Sequence, residues 1–149
     1  MKCNAEGIEL IKEFEGMLLH TYLDQKGIRT IGYGHTGEDV YAGLQISQAE
    51  AEAMLLHDLV KFEAGVDRLV RIKINENEFS ALVSFVYNLG VGALAHSKLL
   101  YFLNANKREE ASNEFSRWDE CDGKPDPGLL RRRKAEQGLF LKPIAGTEL

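Results

Sequence analysis

Between residues 18 and 36 the sequence leaves helical periodicity, and from about residue 47 it returns to it for good. Tyr22, Ile28, Thr30, Ile31 and Tyr33 are β-branched or aromatic residues suited to a pleated strand. Asp24, Gln25, Lys26 and Gly27, lying between them, have the chemistry of a tight turn. A β-hairpin is expected here, with a short third strand near residues 40–44. One block of strand in a chain otherwise patterned as helix restricts the fold to a small hairpin-bearing lobe set against helices.

The helices announce themselves by their ends. Asn4 is a good N-cap, and the apolar positions Ile8, Leu10, Ile11 and Phe14 run up to Gly16, which predicts a first helix over 4–15. Ser47 with Glu50 forms a capping box that opens a long helix to about residue 70, with Leu55, Leu59, Phe62, Val66 and Leu69 among its apolar positions. Asn75 with Glu78 opens another, whose Phe79, Leu82, Val83, Phe85, Val86 and Leu89 wrap so much of the helix that it must be central and buried; Gly90 and Gly92 end it. Ser97 caps a helix to about residue 103, residues 107–118 make the next, and Pro127 starts the last, to about residue 141. From residue 47 onward every signal is helical.

The expected fold class is therefore α+β, one domain over 1–149. A hairpin lobe (15–46), a connecting helix (47–70) and a helical lobe (71–149) are expected, with helix 4–15 leading into a cleft between lobes where a ligand would bind. A net charge of −5 gains nothing from counterion release, so nucleic acid is not an expected partner. The run Arg131, Arg132, Arg133 and Lys134 reads as a solvated helix face, phosphate contact being the alternative. Cys3 and Cys121 have neither metal-ligand spacing nor a disulfide framework, so reduced thiols and no metal or other cofactor are expected. No apolar run reaches the roughly 18 residues of a membrane span, and the first ten residues carry no export signal, so no stable membrane insertion is expected.

Glu15 falls four residues after Ile11 and seven after Ile8, on or beside the apolar face of its helix and at its C-terminal turn. Partial burial and the negative end of the helix dipole would both favour the protonated carboxyl, as a general acid requires. The competing reading is a stripe-edge glutamate in water or paired with an arginine. Asp24 at the head of the turn and Thr30 on the following strand are ordinary residues for their places. Together with Glu15 they supply an acid, a second carboxylate and a hydroxyl, and glycoside hydrolysis needs two carboxylates on opposite sides of a scissile bond.

Glu15, Asp24 nine residues on and Thr30 six further, within LIKEFEGMLLHTYLDQKGIRTIGYGHT, resemble the catalytic segment of the tailed-phage lysozymes, glycoside hydrolase family 24. The likeness extends through the Ser47 helix, FVYNLG at residues 85–90, Trp118 and RRRKAEQGLF. It implies a lysozyme-like fold and a muramidase that cleaves the β-1,4 bond between N-acetylmuramic acid and N-acetylglucosamine of peptidoglycan, with inversion. Glu15 would then protonate the leaving oxygen while Asp24 and Thr30 hold the attacking water. The resemblance further implies a His35–Asp58 ion pair, against the alternative of a lone surface histidine, and a cleft position for Asn88, against a buried asparagine satisfied by backbone. Gly32 and Gly34 are better explained by close backbone approach than by a phosphate loop. Also implied are a monomer made in the host cytoplasm, a holin to release it, and action on the wall at lysis. A lytic transglycosylase and a non-catalytic, envelope-binding antimicrobial protein are the rival readings.

Overall fold

The computed structural model describes residues 1–144. In chain order its elements are α1 (Ala5–Glu15), β1 (Leu18–Leu23), β2 (Arg29–Gly32), β3 (His35–Thr36), α2 (Gln48–Leu69), α3 (Glu76–Leu89), α4 (Val91–Ala95), α5 (Lys98–Asn104), α6 (Arg108–Glu114), a 3-10 turn (Phe115–Arg117), β4 (Glu120–Cys121), β5 (Lys124–Pro125) and α7 (Pro127–Leu141). The backbone divides into two compact units, Ile11–Val60 and a second that joins Met1–Leu10 to the chain from Lys61 onward.

In the first unit, β1, β2 and β3 form an antiparallel sheet in that order. Tyr22 faces Thr30 and Leu23 faces Arg29, but Leu18 faces Gly32, so β1 bulges between Leu18 and Tyr22. The bulged residues bond elsewhere: Thr21 donates its N–H to the Leu44 carbonyl (3.0 Å), Leu19 accepts from Ile46 (2.9 Å), and His20 bridges to Gln45. The third strand expected near residues 40–44 is not formed. Gly37 and Gly43 (φ +145° and +83°) break the extended backbone there, and Val40 and Leu44 donate to Gly37 and Tyr41 as turns do. The third strand is instead His35–Thr36, with His35 facing Ile31. Ile11, Ile31, Ala51, Leu55 and Leu59 are buried and form this unit's core. The Ser47–Glu50 capping box is made in both directions, at 3.1 and 3.0 Å.

In the second unit, α3 carries the reciprocal Asn75–Glu78 box (2.8 and 2.9 Å) and then ten successive buried residues, Asn77 to Val86, so protein covers it on every side. It packs against α7 and α4. Phe85 meets Phe115 and Trp118 edge-on, with centroids 5.8 and 5.5 Å away. Asn4 caps α1 through the Gly7 N–H (3.0 Å) and binds Asn77 of α3 (2.8 Å). Cys3 is buried, and that burial is the main reason its thiol is pushed up to about 12; Cys121 is partly exposed, and both are free.

Two further expectations fail here. The region after residue 47 is not wholly helical, because Glu120–Cys121 and Lys124–Pro125 pair as a small hairpin. Its turn residues Asp122 and Gly123 have φ +52° and +77°, the conformation that an Asp-Gly pair favours. The basic run is only half solvated: α7 leaves Arg131 and Lys134 in water but buries Arg132 and Arg133 to 3% and 0% exposure. Both guanidinium groups turn to the fully buried Glu136, at 3.2 Å from Arg132 and 3.1 Å from Arg133, and Ser84 donates to the same carboxylate at 2.6 Å. A buried cation is tolerated only with such a partner.

Candidate functional site

Glu15 is the last residue of α1. Gly16 (φ +70°) ends the helix, donating its N–H back to Lys12 (3.0 Å). The half-buried Glu15 side chain rests on the turn between β2 and β3: a Cβ at Gly34 would lie 2.6 Å from Glu15 Oε1 and 3.4 Å from its Cδ. Only a residue without a side chain lets the carboxylate come so close, and φ +77° at Gly34 makes the same demand on the backbone. Gly32 (φ +66°) differs, since a Cβ there would meet Ala51 only at an ordinary 3.5 Å. Close approach therefore accounts for Gly34, whereas at Gly32 the left-handed backbone alone asks for glycine.

Asp24 heads the β1–β2 turn. Its Oδ1 accepts the N–H groups of Lys26 (2.8 Å) and Ile28 (2.9 Å), the local role that its position suggests, and this fixes the carboxylate's orientation. The Ile28 carbonyl accepts both the Asp24 N–H (3.0 Å) and the Thr30 hydroxyl (2.9 Å). One carbonyl thus ties the Asp24 backbone to the Thr30 side chain. The hydroxyl proton being engaged there, the lone pairs of Thr30 Oγ1 are left as acceptors.

Tyr22 links these groups. It faces Thr30 across the ladder and stands two residues before Asp24. Its phenol is raised above the ordinary tyrosine value, first by burial and then by the negative charges of Glu15 and Asp24. Both carboxylates thus lie within electrostatic reach of one ring. Sequence reading took Tyr22 only as a strand former, and its spacing from Asp24 was the available signal.

His35, on β3, is held from two sides. Nδ1 lies 2.7 Å from Asp58 Oδ2 on α2, and Nε2 lies 3.0 Å from the Asp39 carboxylate. Burial opposes protonation of the ring, but the bonds and charges of Asp58 and Asp39 prevail and the pKa is raised. Asp39 had no sequence signal beyond its i+4 spacing. Also unforeseen is the cluster of Lys12, Glu52 and Tyr33: Lys12 Nζ is 2.7 Å from Glu52 and 5.5 Å from the Tyr33 ring centroid, and the Tyr33 hydroxyl donates to Glu52 at 3.4 Å.

Glu15, Asp24, Thr30, His35 and Asp58 all fall within the Ile11–Val60 unit; Asn88 belongs to the other. Asn88 is not buried against backbone. It is exposed, and its Oδ1 accepts from Arg133, whose guanidinium also sits 5.2 Å from the Phe85 ring centroid. Among the described residues, no group of three or more His, Cys, Asp or Glu is arranged to hold a metal ion.

The family model described as phage lysozyme matches residues 12–136, which include Glu15, Asp24 and Thr30. The chain belongs to the phage lysozyme family. An endolysin of Bacillus phage B103 is 44% identical over 143 residues, 95% of this chain and 54% of that protein. An endolysin of Acyrthosiphon pisum secondary endosymbiont phage 1 is 38% identical over 144 residues, covering 94% of this chain and 98% of the relative. Among solved structures, the muramidase domain of SpmX from Asticaccaulis excentricus superposes with a TM-score of 0.89 at 36% identity, over 95% of this chain and 99% of that one. The fold is thus the α+β lysozyme-like fold of the phage lysozymes. The chain spans about half the length of the Bacillus phage relatives, 54% and 55%.

Proposed function

We propose that this chain hydrolyses bacterial peptidoglycan for host-cell lysis, as a muramidase cutting the β-1,4 bond between N-acetylmuramic acid and N-acetylglucosamine. The observation that carries the reading is the phage lysozyme match over residues 12–136, which takes in Glu15 at the end of α1 and the Asp24 and Thr30 pair tied through the Ile28 carbonyl. Two carboxylates and a hydroxyl on adjoining elements are what a single displacement by water requires.

Glu15 gives its proton to the glycosidic oxygen as the bond to the anomeric carbon breaks. A water held by Asp24 and the lone pairs of Thr30 attacks that carbon from the opposite face, and Asp24 takes the water's proton. The configuration inverts, and the site resets as Asp24 releases that proton to solvent and the Glu15 carboxylate takes one up. His35 and Asp58 brace the hairpin that carries Asp24 and Thr30, and Asn88 contributes a polar contact to the glycan. The enzyme works as a monomer without a cofactor. It is made in the host cytoplasm and reaches the wall after a holin has opened the membrane.

Glu15→Gln should abolish release of soluble muropeptides from purified walls while leaving circular dichroism and thermal unfolding unchanged. Retained release by that variant would remove Glu15 from the mechanism. Products with ordinary reducing ends and inverted configuration support hydrolysis, whereas 1,6-anhydro ends would establish a transglycosylase. Killing that survives in Glu15→Gln would favour a non-catalytic envelope-binding protein.

A further inference from the structure

Charge is unevenly distributed in the second unit. The net charge of the chain is −5, yet residues 68–74 and 87–107 hold five Lys/Arg (Arg68, Arg71, Lys73, Lys98 and Lys107) and no Asp or Glu. The fold joins the two stretches. Asn104 of α5 accepts the Arg71 N–H (2.8 Å) and donates to the Leu69 carbonyl (3.1 Å), pinning the end of α2 to the end of α5.

At this junction lies an open concavity of ≈ 400 Å³, lined by Arg71, Ala95, Ser97, Leu100, Tyr101 and Asn104, with Ala105 completing it. Ser97 is engaged in the fold, accepting from Leu100 and donating to Leu94, and so is the Asn104 amide. The groups left to meet a ligand are the Arg71 guanidinium and the Tyr101 ring, 71% exposed, with Lys98 one turn before Tyr101 on the same helix. Among the described residues no carboxylate pairs with Arg68, Arg71 or Lys98. Asp67, the acid beside them on α2, is taken by the N-terminal ammonium at 2.8 Å.

We propose that this concavity is a second, non-catalytic site that holds the anionic glycan of the wall: Arg71 and Lys98 take its carboxylate or phosphodiester groups while a sugar ring lies on Tyr101. The guanidinium fork matches either anion, and the C–H face of a pyranose is apolar enough to rest on an aromatic ring. An anionic bilayer fits less well, since an interfacial helix needs an apolar face free to enter the lipid, whereas Leu99, Leu100 and Leu103 of α5 are buried in the protein. The site gives an acidic protein a local grip on an anionic polymer. The inference rests on the wall-directed reading above.

The test is co-sedimentation with purified sacculi in the Glu15→Gln background, so that the wall is not consumed. Arg71→Ala with Lys98→Ala is expected to weaken retention on the order of tenfold at low ionic strength, and the difference should vanish toward 1 M salt, where screening reaches about 3 Å. Tyr101→Ala should weaken retention at every salt concentration. Walls stripped of phosphodiester polymer, and walls with amidated carboxylates, identify the anion that is read. Unchanged retention in either variant, or equal retention on phosphatidylglycerol vesicles, overturns the proposal. It fails separately from the catalytic reading: muropeptide release that survives Glu15→Gln refutes the mechanism, whereas wild-type retention in the Arg71 and Lys98 variant refutes only this site.

Discussion

Replacing Gly34 with alanine tests whether the β2–β3 turn sets the position of Glu15. The new methyl carbon would lie 2.6 Å from Glu15 Oε1 on a backbone at φ +77°. Two separable costs follow. A Cβ in the left-handed region costs roughly 1–2 kcal/mol, and in a chain of this size each kcal/mol lowers the melting temperature by about 2–4 °C. The contact itself is relieved if the carboxylate retreats by roughly 1 Å, toward ordinary van der Waals separation. Because the carboxylate ends a flexible side chain, this retreat adds little to the stability loss. It acts on the chemistry instead, where misplacing a reacting group by ~1 Å costs on the order of 100-fold in rate.

Gly43 supplies the control, because it has φ +83° and nothing within 4 Å of where a Cβ would stand. Gly43→Ala should therefore carry the same backbone strain without disturbing Glu15. Thermal unfolding followed by circular dichroism should show similar losses for the two variants. Muropeptide release from purified walls should fall on the order of 100-fold in Gly34→Ala alone. Turnover in Gly34→Ala matching that of Gly43→Ala would refute the idea that this glycine makes room for the acid.

Two other perturbations test the scaffold. The His35 pKa is raised in the folded protein, so the stability it contributes is fully present below the unfolded value near 6.5 and is lost as pH rises through the folded pKa. His35→Asn should thus destabilise more at about pH 5.5 than at about pH 9. The sheltered bond to Asp58 accounts for about 1.5–3 kcal/mol of the low-pH loss and the exposed Asp39 for little; equal losses in denaturant melts at both pH values would refute the assignment. Glu136→Leu removes the anion between two buried guanidinium groups and should cost about 3–5 kcal/mol in urea unfolding. A loss under about 1 kcal/mol would mean that Arg132 and Arg133 find other partners.

The helix starts were legible because a cap is a short-range event. Ser47 with Glu50 and Asn75 with Glu78 complete their bonds within four residues, so the sequence contains both partners. The hairpin at Asp122 and Gly123 was equally local, and its Asp-Gly signal lay in the sequence. What could not be read depends on a third body. Whether Arg132 faces water or Glu136 is decided by Ser84 and the buried wall of α3, 48 residues away along the chain. The third strand pairs His35 with Ile31, a register that propensity does not give, while Gly37 and Gly43 turn the backbone at residues 40–44.

The candidate site divides along the same line. Glu15, Asp24 and Thr30 can be named from the sequence because they bear chemistry, yet the groups that place them bear none. Gly34 admits the Glu15 carboxylate by having no side chain, and the Ile28 carbonyl couples Asp24 to Thr30 through the backbone. Neither contact leaves a mark on side-chain composition. The spacing Gly32-Tyr33-Gly34 does leave one, for two left-handed positions flank a buried tyrosine; a Cβ at the first would touch Ala51, and at the second Glu15. The two glycines of IGYGH are therefore positional demands of different origin, one set by its backbone conformation alone and one by the acid as well. Alanine at Gly32, 3.5 Å from the Ala51 Cβ, would meet only ordinary contact and should cost stability without moving Glu15. Their unequal effect on turnover follows from that difference alone.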